Sequence, residues 1–129
     1  MTDHQAEWVM KIATPVQWAN AMRAGVFAGT ESDTAGFIHL SSLAQVARTA
    51  NKWYAGRRGL VLLAISPSKL RADLRWEPTT QGELFPHAYG PINLDAVVSV
   101  IPFEPLEDGT FVTPSCKDYD PKDPSARPF

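Results

Sequence analysis

Six consecutive apolar residues, Leu60 to Ile65, constrain the fold of this chain most strongly. The run is too short for a typical helix, has no polar face, and is bounded by Gly59 and by Ser66-Pro67, so it predicts a strand. Because both faces of such a strand are apolar, both must be covered. We therefore predict a central strand with other elements packed on either side of it.

Two helices are predicted on the N-terminal side of this strand by their capping residues. Thr14 and Gln17 form one capping box, and Ser42 and Gln45 form another. In each box a side-chain oxygen accepts a hydrogen bond from a free N–H of the first turn, which marks where the helix begins. Apolar residues then repeat at helical spacing, and the second helix is expected to run to about residue 55.

Further strands complete the predicted architecture. They are expected at residues 8–13, 36–41, 72–77 and 92–103. With the two helices and the central strand, the order along the chain is β-α-β-α-β-β-β. Because the second half of the chain is rich in strands, this order indicates the α+β class.

The chain is expected to form one domain followed by a tail. A length of 129 residues suits a single domain, whose end we place at residue 107. Residues 108–129 are rich in proline and carry few apolar side chains to offset the entropy of ordering, so they are predicted to be flexible. Phe111 and Val112 are the candidates there for an edge strand.

Composition argues against several classes of function. The net charge of −2 disfavours non-specific nucleic-acid binding. Lys52, Arg57 and Arg58 are the candidates for a local contact with a nucleic acid. A single cysteine, Cys116, allows no internal disulfide. No stretch is apolar for the roughly 20 residues that span a membrane, and no signal peptide follows Met1. We expect a cytoplasmic monomer.

The first candidate site segment is residues 36–42. In an extended strand Phe37, His39 and Ser41 share one face, because side chains alternate. Ser42 begins the next helix, whose free N–H groups favour an anion, so these residues are candidates to hold a phosphate or a sugar oxygen. The alternative is that Ser42 is only a cap and that His39 bonds to a neighbouring strand.

Glu77 is the second candidate. It directly precedes Pro78, which stops the predicted strand, and strand ends are common places for functional carboxylates. The alternative is a surface ion pair of Glu77 with Arg75 or Arg71, which would contribute little energy.

The third candidate segment holds His87 and Tyr89 after the rigid Pro86. If the segment is extended, both side chains point the same way, and the hydroxyl can orient a histidine that acts as acid or base near neutral pH. The alternative is a packed aromatic and a turn cap. His39, His87 and Glu77 would make a two-histidine, one-carboxylate metal set, but no local spacing supports it, and we predict no metal.

Taken together, residues 36–41, 74–77 and 84–91 resemble the bacterial domain-of-unknown-function family 952, and the resemblance covers roughly residues 8–103. The fold of that family resembles ADP-ribosyltransferases, with a split, bent pair of small β-sheets, two main helices and a cleft. The resemblance implies NAD bound in the cleft and a glutamate that steadies a positively charged ribose. It also implies that an aromatic of the second helix, Trp53 or Tyr54, belongs to the site.

Two departures accompany the resemblance. The first strand, residues 8–13, lacks the histidine or arginine that grips the ribose in that fold. Glu83 lies near the expected place of the catalytic glutamate, whereas Glu77 belongs to the motif of family 952. Because fold does not dictate function, NAD remains an analogy.

The resulting hypothesis is an ADP-ribosyltransferase-like enzyme, a transferase of ADP-ribosyl or related glycosyl or phosphoryl groups, that acts on NAD or another phosphorylated nucleoside. The catalytic candidates are Glu77, His87 and His39. The substrate-binding candidates are Ser41, Ser42, Tyr89 and Tyr54. The alternative is a non-catalytic module that binds a nucleotide or a small anionic metabolite, and a third interpretation is a partner-binding tail.

Overall fold

The computed structural model describes residues 8–30 and 33–114. Its elements, in chain order, are β1 (Val9–Ala13), α1 (Pro15–Ala24), β2 (Val26–Phe27), β3 (Ile38–His39), β4 (Ser41–Ser42), α2 (Leu43–Trp53), β5 (Leu60–Ile65), β6 (Asp73–Pro78), β7 (Leu84–Tyr89), β8 (Ile92–Asn93) and β9 (Val97–Phe103). The mixture of two helices with small antiparallel sheets confirms the α+β class. Within these residues, no helix is long and apolar enough to cross a membrane.

The strands form three sheets. A four-stranded sheet has the order β4-β1-β5-β9, a three-stranded sheet has the order β3-β7-β6, and β2 pairs with β8. Strand β5 lies between β1 and β9, and all of its residues except Val61 are buried. The prediction of a central strand is therefore confirmed.

The two faces of β5 contribute to two separate cores. Leu63 and Ile65 belong to the cluster beside α1 and the smaller sheets. Leu62 and Ala64 belong to the other cluster, with Val46 of α2. Because successive side chains of a strand point to opposite faces, one continuous apolar run packs against both layers.

Both helices begin at the predicted caps. The Thr14 side chain accepts a hydrogen bond from the Gln17 N–H, and Ser42 does the same for Gln45, while each glutamine bonds back to the N–H of its cap residue. Such a cap is worth about 1 kcal/mol. Helix α2 ends at Trp53, two residues before the expected end.

The predicted strand at residues 36–41 is the main error. The chain bends at Leu40, so that β3 pairs with β7 in the three-stranded sheet and β4 pairs with β1 in the four-stranded sheet. Leu40 is buried, and its N–H donates to the Pro86 carbonyl at 3.0 Å. The alternation of side chains between the two faces of a strand is the same before and after the bend, and therefore the sequence does not reveal the change of sheet.

Other strand predictions also needed correction. The segment predicted as one strand, residues 92–103, is broken by a 3₁₀ turn at Leu94–Ala96 into β8 and β9, which lie in different sheets. Strands β2 and β7 were not counted in the predicted order. Pro86 stands in the middle of β7, where the absence of an N–H would ordinarily argue against a strand.

Part of the predicted tail packs against the domain. Phe111 is buried and lies 4.8 Å from Phe103 between ring centroids. The Asn51 side chain of α2 bonds to both backbone groups of Phe111, at 2.9 and 2.7 Å. The segment docks through this ring and amide, and residues 111 and 112 form no strand. Residues 115–129, with Cys116, lie outside the described residues, and the domain boundary at residue 107 stays a prediction.

Candidate active site

A cleft of about 870 Å³ separates the four-stranded sheet from the three-stranded sheet. One side is formed by β1, α2 and the turn after α2. The other side is formed by β7 and the turn that joins it to β6. The bend at Leu40 creates this arrangement, since it sends two halves of one segment into the two sheets.

The cleft contains only part of the predicted site. Four predicted residues line it: His39, Ser41, Tyr54 and His87. Three others are not among its lining residues: Ser42, Glu77 and Tyr89. Glu83, which the resemblance singled out, also lines the cleft.

The two histidines are directly paired across neighbouring strands. In the register of β3 and β7, His39 lies opposite His87. Directly opposite residues of an antiparallel pair have side chains on the same face, and these two ring centroids are 5.5 Å apart. The His39 side chain is 48% exposed and the His87 side chain is 11% exposed. The cleft therefore contains an open imidazole beside a nearly buried one.

His87 is held by a carboxylate that is not among the lining residues of the cleft. Its Nδ1 lies 2.8 Å from Glu77 Oε1, and the Tyr89 hydroxyl donates to the same oxygen at 2.7 Å. These hydrogen bonds, first from Tyr89 and then from His87, lower the pKa of Glu77. Because an ionised carboxylate only accepts hydrogen bonds, Nδ1 carries a proton, and Nε2 is the acceptor in the neutral ring.

The Glu77 carboxylate thus contacts His87 and Tyr89 rather than the arginines that the alternative interpretation named. Arg75 pairs with Asp73 at 2.8 Å, and Arg71 lies 3.5 Å from Asp95. The spacing predicts that His87 and Tyr89 point the same way in an extended segment, and on β7 both reach one oxygen of Glu77. The contacts of Glu77 make it suited to orienting the imidazole.

His39 has its own carboxylate, Asp33, which is not among the residues predicted from the sequence. Asp33 Oδ1 lies 2.8 Å from His39 Nδ1 and accepts the His39 N–H at 3.0 Å. Asp33 Oδ2 pairs with Lys11 Nζ at 2.8 Å, and Lys11 also donates to the His39 carbonyl at 3.0 Å. The two charged side chains are only 2% and 5% exposed. The backbone and ring of His39 are therefore both tied to a buried ion pair.

Burial and pairing shift the pKa of each member of this ion pair in opposite directions. Burial by itself would raise the pKa of Asp33, but the charge of Lys11 and the hydrogen bonds from His39 and Lys11 bring it down to about 2. Burial lowers the pKa of Lys11, although Asp33 opposes the change. One signal was available in the sequence, because a lysine within the apolar segment 9–13 requires a partner.

An aromatic ring packs against both imidazoles. Phe37 stacks on His87 with a centroid distance of 4.2 Å, and it lies 4.9 Å from His39 and 5.2 Å from Tyr89. Phe37 and His39 were expected on one face of a strand, and these distances agree with that geometry. The Phe37 ring therefore contacts both histidines of the pair.

The two serines have mainly local contacts. Ser41 is buried, and its hydroxyl lies 3.1 Å from the Thr49 hydroxyl of α2. Ser42 caps α2, which is the alternative that the sequence left open. Within the described residues, no group of three His, Cys, Asp or Glu side chains is placed to hold a metal ion.

Positively charged side chains outnumber negatively charged ones along the cleft. Arg48 and Lys52 of α2 and Arg57 of the following turn all line it. Glu83 is the acidic residue among the described lining residues, and it is already bonded to Arg48. The cleft is therefore suited to an anionic ligand.

The comparisons with known proteins agree with the fold. The family described as "Protein of unknown function (DUF952)" matches residues 12–100. The crystal structure of protein CC0527 from Caulobacter crescentus is 38% identical, covers 81% of this chain and 93% of that chain, and superposes with a TM-score of 0.75. The solution NMR structure of CC0527 is 36% identical, covers 90% and 98% of the two chains, and has a TM-score of 0.72. No curated protein matches the chain.

Proposed function

Because the chain belongs to the DUF952 family of proteins of unknown function, we propose its function from the chemistry of the cleft. We propose that it is an enzyme that binds a phosphorylated nucleoside, NAD included, and transfers protons with His39 and His87. One observation carries this proposal: two imidazoles on directly paired residues face one cleft, and each has its Nδ1 on a carboxylate.

The geometry of the pair is suited to acid–base catalysis. A carboxylate at Nδ1 holds each ring in one orientation and leaves Nε2 to exchange protons with a ligand. Two rings 5.5 Å apart can serve two atoms of one ligand, so that one ring accepts a proton while the other donates one. Within residues 8–30 and 33–114, neither Nε2 has a hydrogen-bond partner.

Charge and volume support the class of ligand. The cleft volume of about 870 Å³ lies in the range of small-molecule sites. The cationic side chains of α2 favour phosphate groups. The resemblance to ADP-ribosyltransferases, with a cleft between small bent sheets, adds NAD as a ligand to be tested, although a fold alone does not establish an activity.

The two glutamates would have different tasks in this mechanism. The hypothesis from sequence places Glu77 against the ribose, but its contacts with His87 and Tyr89 favour a positioning role. Glu83 lines the cleft, and its carboxylate is the better candidate to stabilise positive charge that develops on a ribose.

Binding and turnover test this proposal separately. Thermal shifts with NAD, ADP-ribose, nucleotides and simple phosphates would show which ligands bind, because a ligand that prefers the folded state raises the melting temperature. Product analysis by mass spectrometry would then follow each binder. His87→Asn should abolish turnover and keep most of the binding. If no ligand of the panel shifts the melting temperature, the proposal is wrong.

A binding module is the second candidate, and the Lys11–Asp33 pair favours it. That buried pair bonds the backbone and the ring of His39, which is also what a purely structural role requires. A module would bind ADP-ribose or a nucleotide and release no product, and His87→Asn would then change affinity alone.

A further inference from the structure

Two cationic side chains of α2 lie one helical turn apart along the cleft. Arg48 and Lys52 are four residues apart and both line the cleft, so their side chains lie on one face of the helix, about 5–6 Å apart at Cβ. Arg57 follows on the next turn, where its backbone N–H donates to the Tyr54 carbonyl at 2.9 Å. This spacing suits two linked phosphate groups better than a single one.

Lys52 and Arg57 are available to a ligand. Both side chains are exposed, and neither forms an ion pair with another residue in the part of the chain that the structure describes. Lys52 Nζ lies 5.1 Å from the centroid of the Trp53 ring. This contact does not neutralise the charge of Lys52.

Arg48, by contrast, already holds an anionic group. Its guanidinium binds Glu83 through two hydrogen bonds, Nη1 to Oε1 at 2.9 Å and Nη2 to Oε2 at 2.6 Å. Arginine uses the same two-pronged geometry to bind phosphate. The Glu83 carboxylate therefore stands where a phosphate of a ligand would bind.

We propose that Arg48, Lys52 and Arg57 form a diphosphate-binding subsite whose first position Glu83 occupies in the free protein. A ligand with a diphosphate displaces the Glu83 carboxylate from Arg48. This inference rests on the proposed function, since it names the part of the phosphorylated nucleoside that the cleft recognises. It also predicts that binding frees the carboxylate that lines the cleft.

The displacement breaks the Arg48–Glu83 pair and one hydrogen bond, from Gln45 Nε2 to Glu83 Oε2 at 3.0 Å. The side chains of Arg48 and Glu83 are 64% and 37% exposed, and exposed ion pairs are weak. A diphosphate carries more charge than one carboxylate and contacts Lys52 at the same time. The connection between α2 and the β6–β7 turn survives, because Gln45 Nε2 also donates to the Leu84 carbonyl at 2.8 Å.

Glu83 remains a competitor at every physiological pH. Hydrogen bonds from Arg48, and then from Gln45, lower the pKa of Glu83 to about 2. The carboxylate therefore stays ionised near neutral pH, and an incoming anion must compete with it.

Calorimetric titration with inorganic pyrophosphate and with ADP-ribose tests the competition. Glu83→Gln should lower both dissociation constants by roughly two- to fivefold, because the competing charge is removed. Asp73→Asn is the matched control, since it removes a carboxylate from the exposed pair with Arg75, and Asp73 is not a lining residue. Equal effects of the two substitutions, or weaker binding by Glu83→Gln, would overturn the inference.

The cations are tested in the same titrations. Arg48→Ala and Lys52→Gln should each weaken pyrophosphate binding by about tenfold, since each removes a charged hydrogen-bond donor. Lys69→Gln removes an exposed charge away from the cleft and should change nothing. If Arg48→Ala does not fold, as circular dichroism will show, Arg48→Lys should weaken binding by a smaller factor. Unchanged affinities would contradict the subsite.

The same experiments separate this inference from the proposed function. Pyrophosphate that binds as expected to a protein without turnover supports the subsite and leaves the enzyme hypothesis wrong. ADP-ribose that binds with an affinity insensitive to Glu83 and Arg48 overturns the subsite alone. If neither the natural chain nor Glu83→Gln binds pyrophosphate, the subsite is wrong as well.

Discussion

The two histidines of the cleft have carboxylate partners of opposite character. Asp33 is 2% exposed and is neutralised by the buried Lys11, whereas Glu77 is 33% exposed and is held by the Tyr89 hydroxyl. Asp33 therefore belongs to the framework that supports the cleft, and its loss should harm the fold. Glu77 can be changed at lower cost, so its influence on His87 can be measured in a folded protein.

The largest expected effect is the loss of stability on Asp33→Asn. The substitution leaves Lys11 charged and buried without its anion, and breaking a buried pair in this way costs about 3–5 kcal/mol. Urea unfolding followed by circular dichroism measures the change. Glu77→Gln should cost much less, and equal losses for the two variants would erase the distinction between the two carboxylates.

Acid titration of stability should give the next largest effect. The pKa of Asp33 is depressed from 3.8 to about 2 in the folded protein. Its contribution to the free energy of unfolding is therefore fully present above 3.8 and is lost as the pH falls towards 2. Across this pH window, the free energy of unfolding should change less with pH for Asp33→Asn than for the natural chain. A slope identical to that of the natural chain would show that Asp33 does not cause the loss.

Glu77→Gln should change the His87 ring while leaving the fold intact. With a neutral amide at Nδ1, the preference for a proton on that nitrogen weakens, and ¹⁵N NMR of the imidazole should show more of the other tautomer. If the protein is an enzyme, turnover should fall by about tenfold or more with little change in affinity. Asp73→Asn, on the same strand, is the control. An unaltered tautomer in Glu77→Gln would mean that the carboxylate does not orient the ring.

Tyr89→Phe should have the smallest effect. It removes one of the two hydrogen bonds to Glu77 Oε1 and keeps the ring that packs near Phe37. The same NMR measurement should show a shift in the same direction as Glu77→Gln, but a smaller one. A larger shift than that of Glu77→Gln would place the main control of His87 at Tyr89.

Much of the fold follows from local sequence signals. The capping boxes at Thr14 and Ser42 and the apolar run Leu60–Ile65 were all correctly placed, because caps and apolar periodicity depend on neighbours within a few residues. Two-residue strands such as Val26–Phe27 could not be found, since their only signal is a partner 67 residues away in the register, Val26 with Asn93.

The candidate site divides in the same way. His39 and His87 are titratable groups within apolar segments, and Glu77 directly precedes the proline that ends a strand, so the sequence marks all three as candidates. Two other contacts of the site were not recognisable, because Asp33 lies in a polar loop and Glu83 meets Arg48 across 35 positions of sequence.

By itself, the sequence determined which residue types are available, where both helices begin and where the central strand lies, since those are short-range matters of capping and hydrophobic burial. The tertiary structure decided that the chain bends at Leu40 and thereby opens a cleft between two sheets. It also decided which carboxylate meets which histidine. Such pairings depend on long-range register between strands, and one residue of register changes every contact across a sheet.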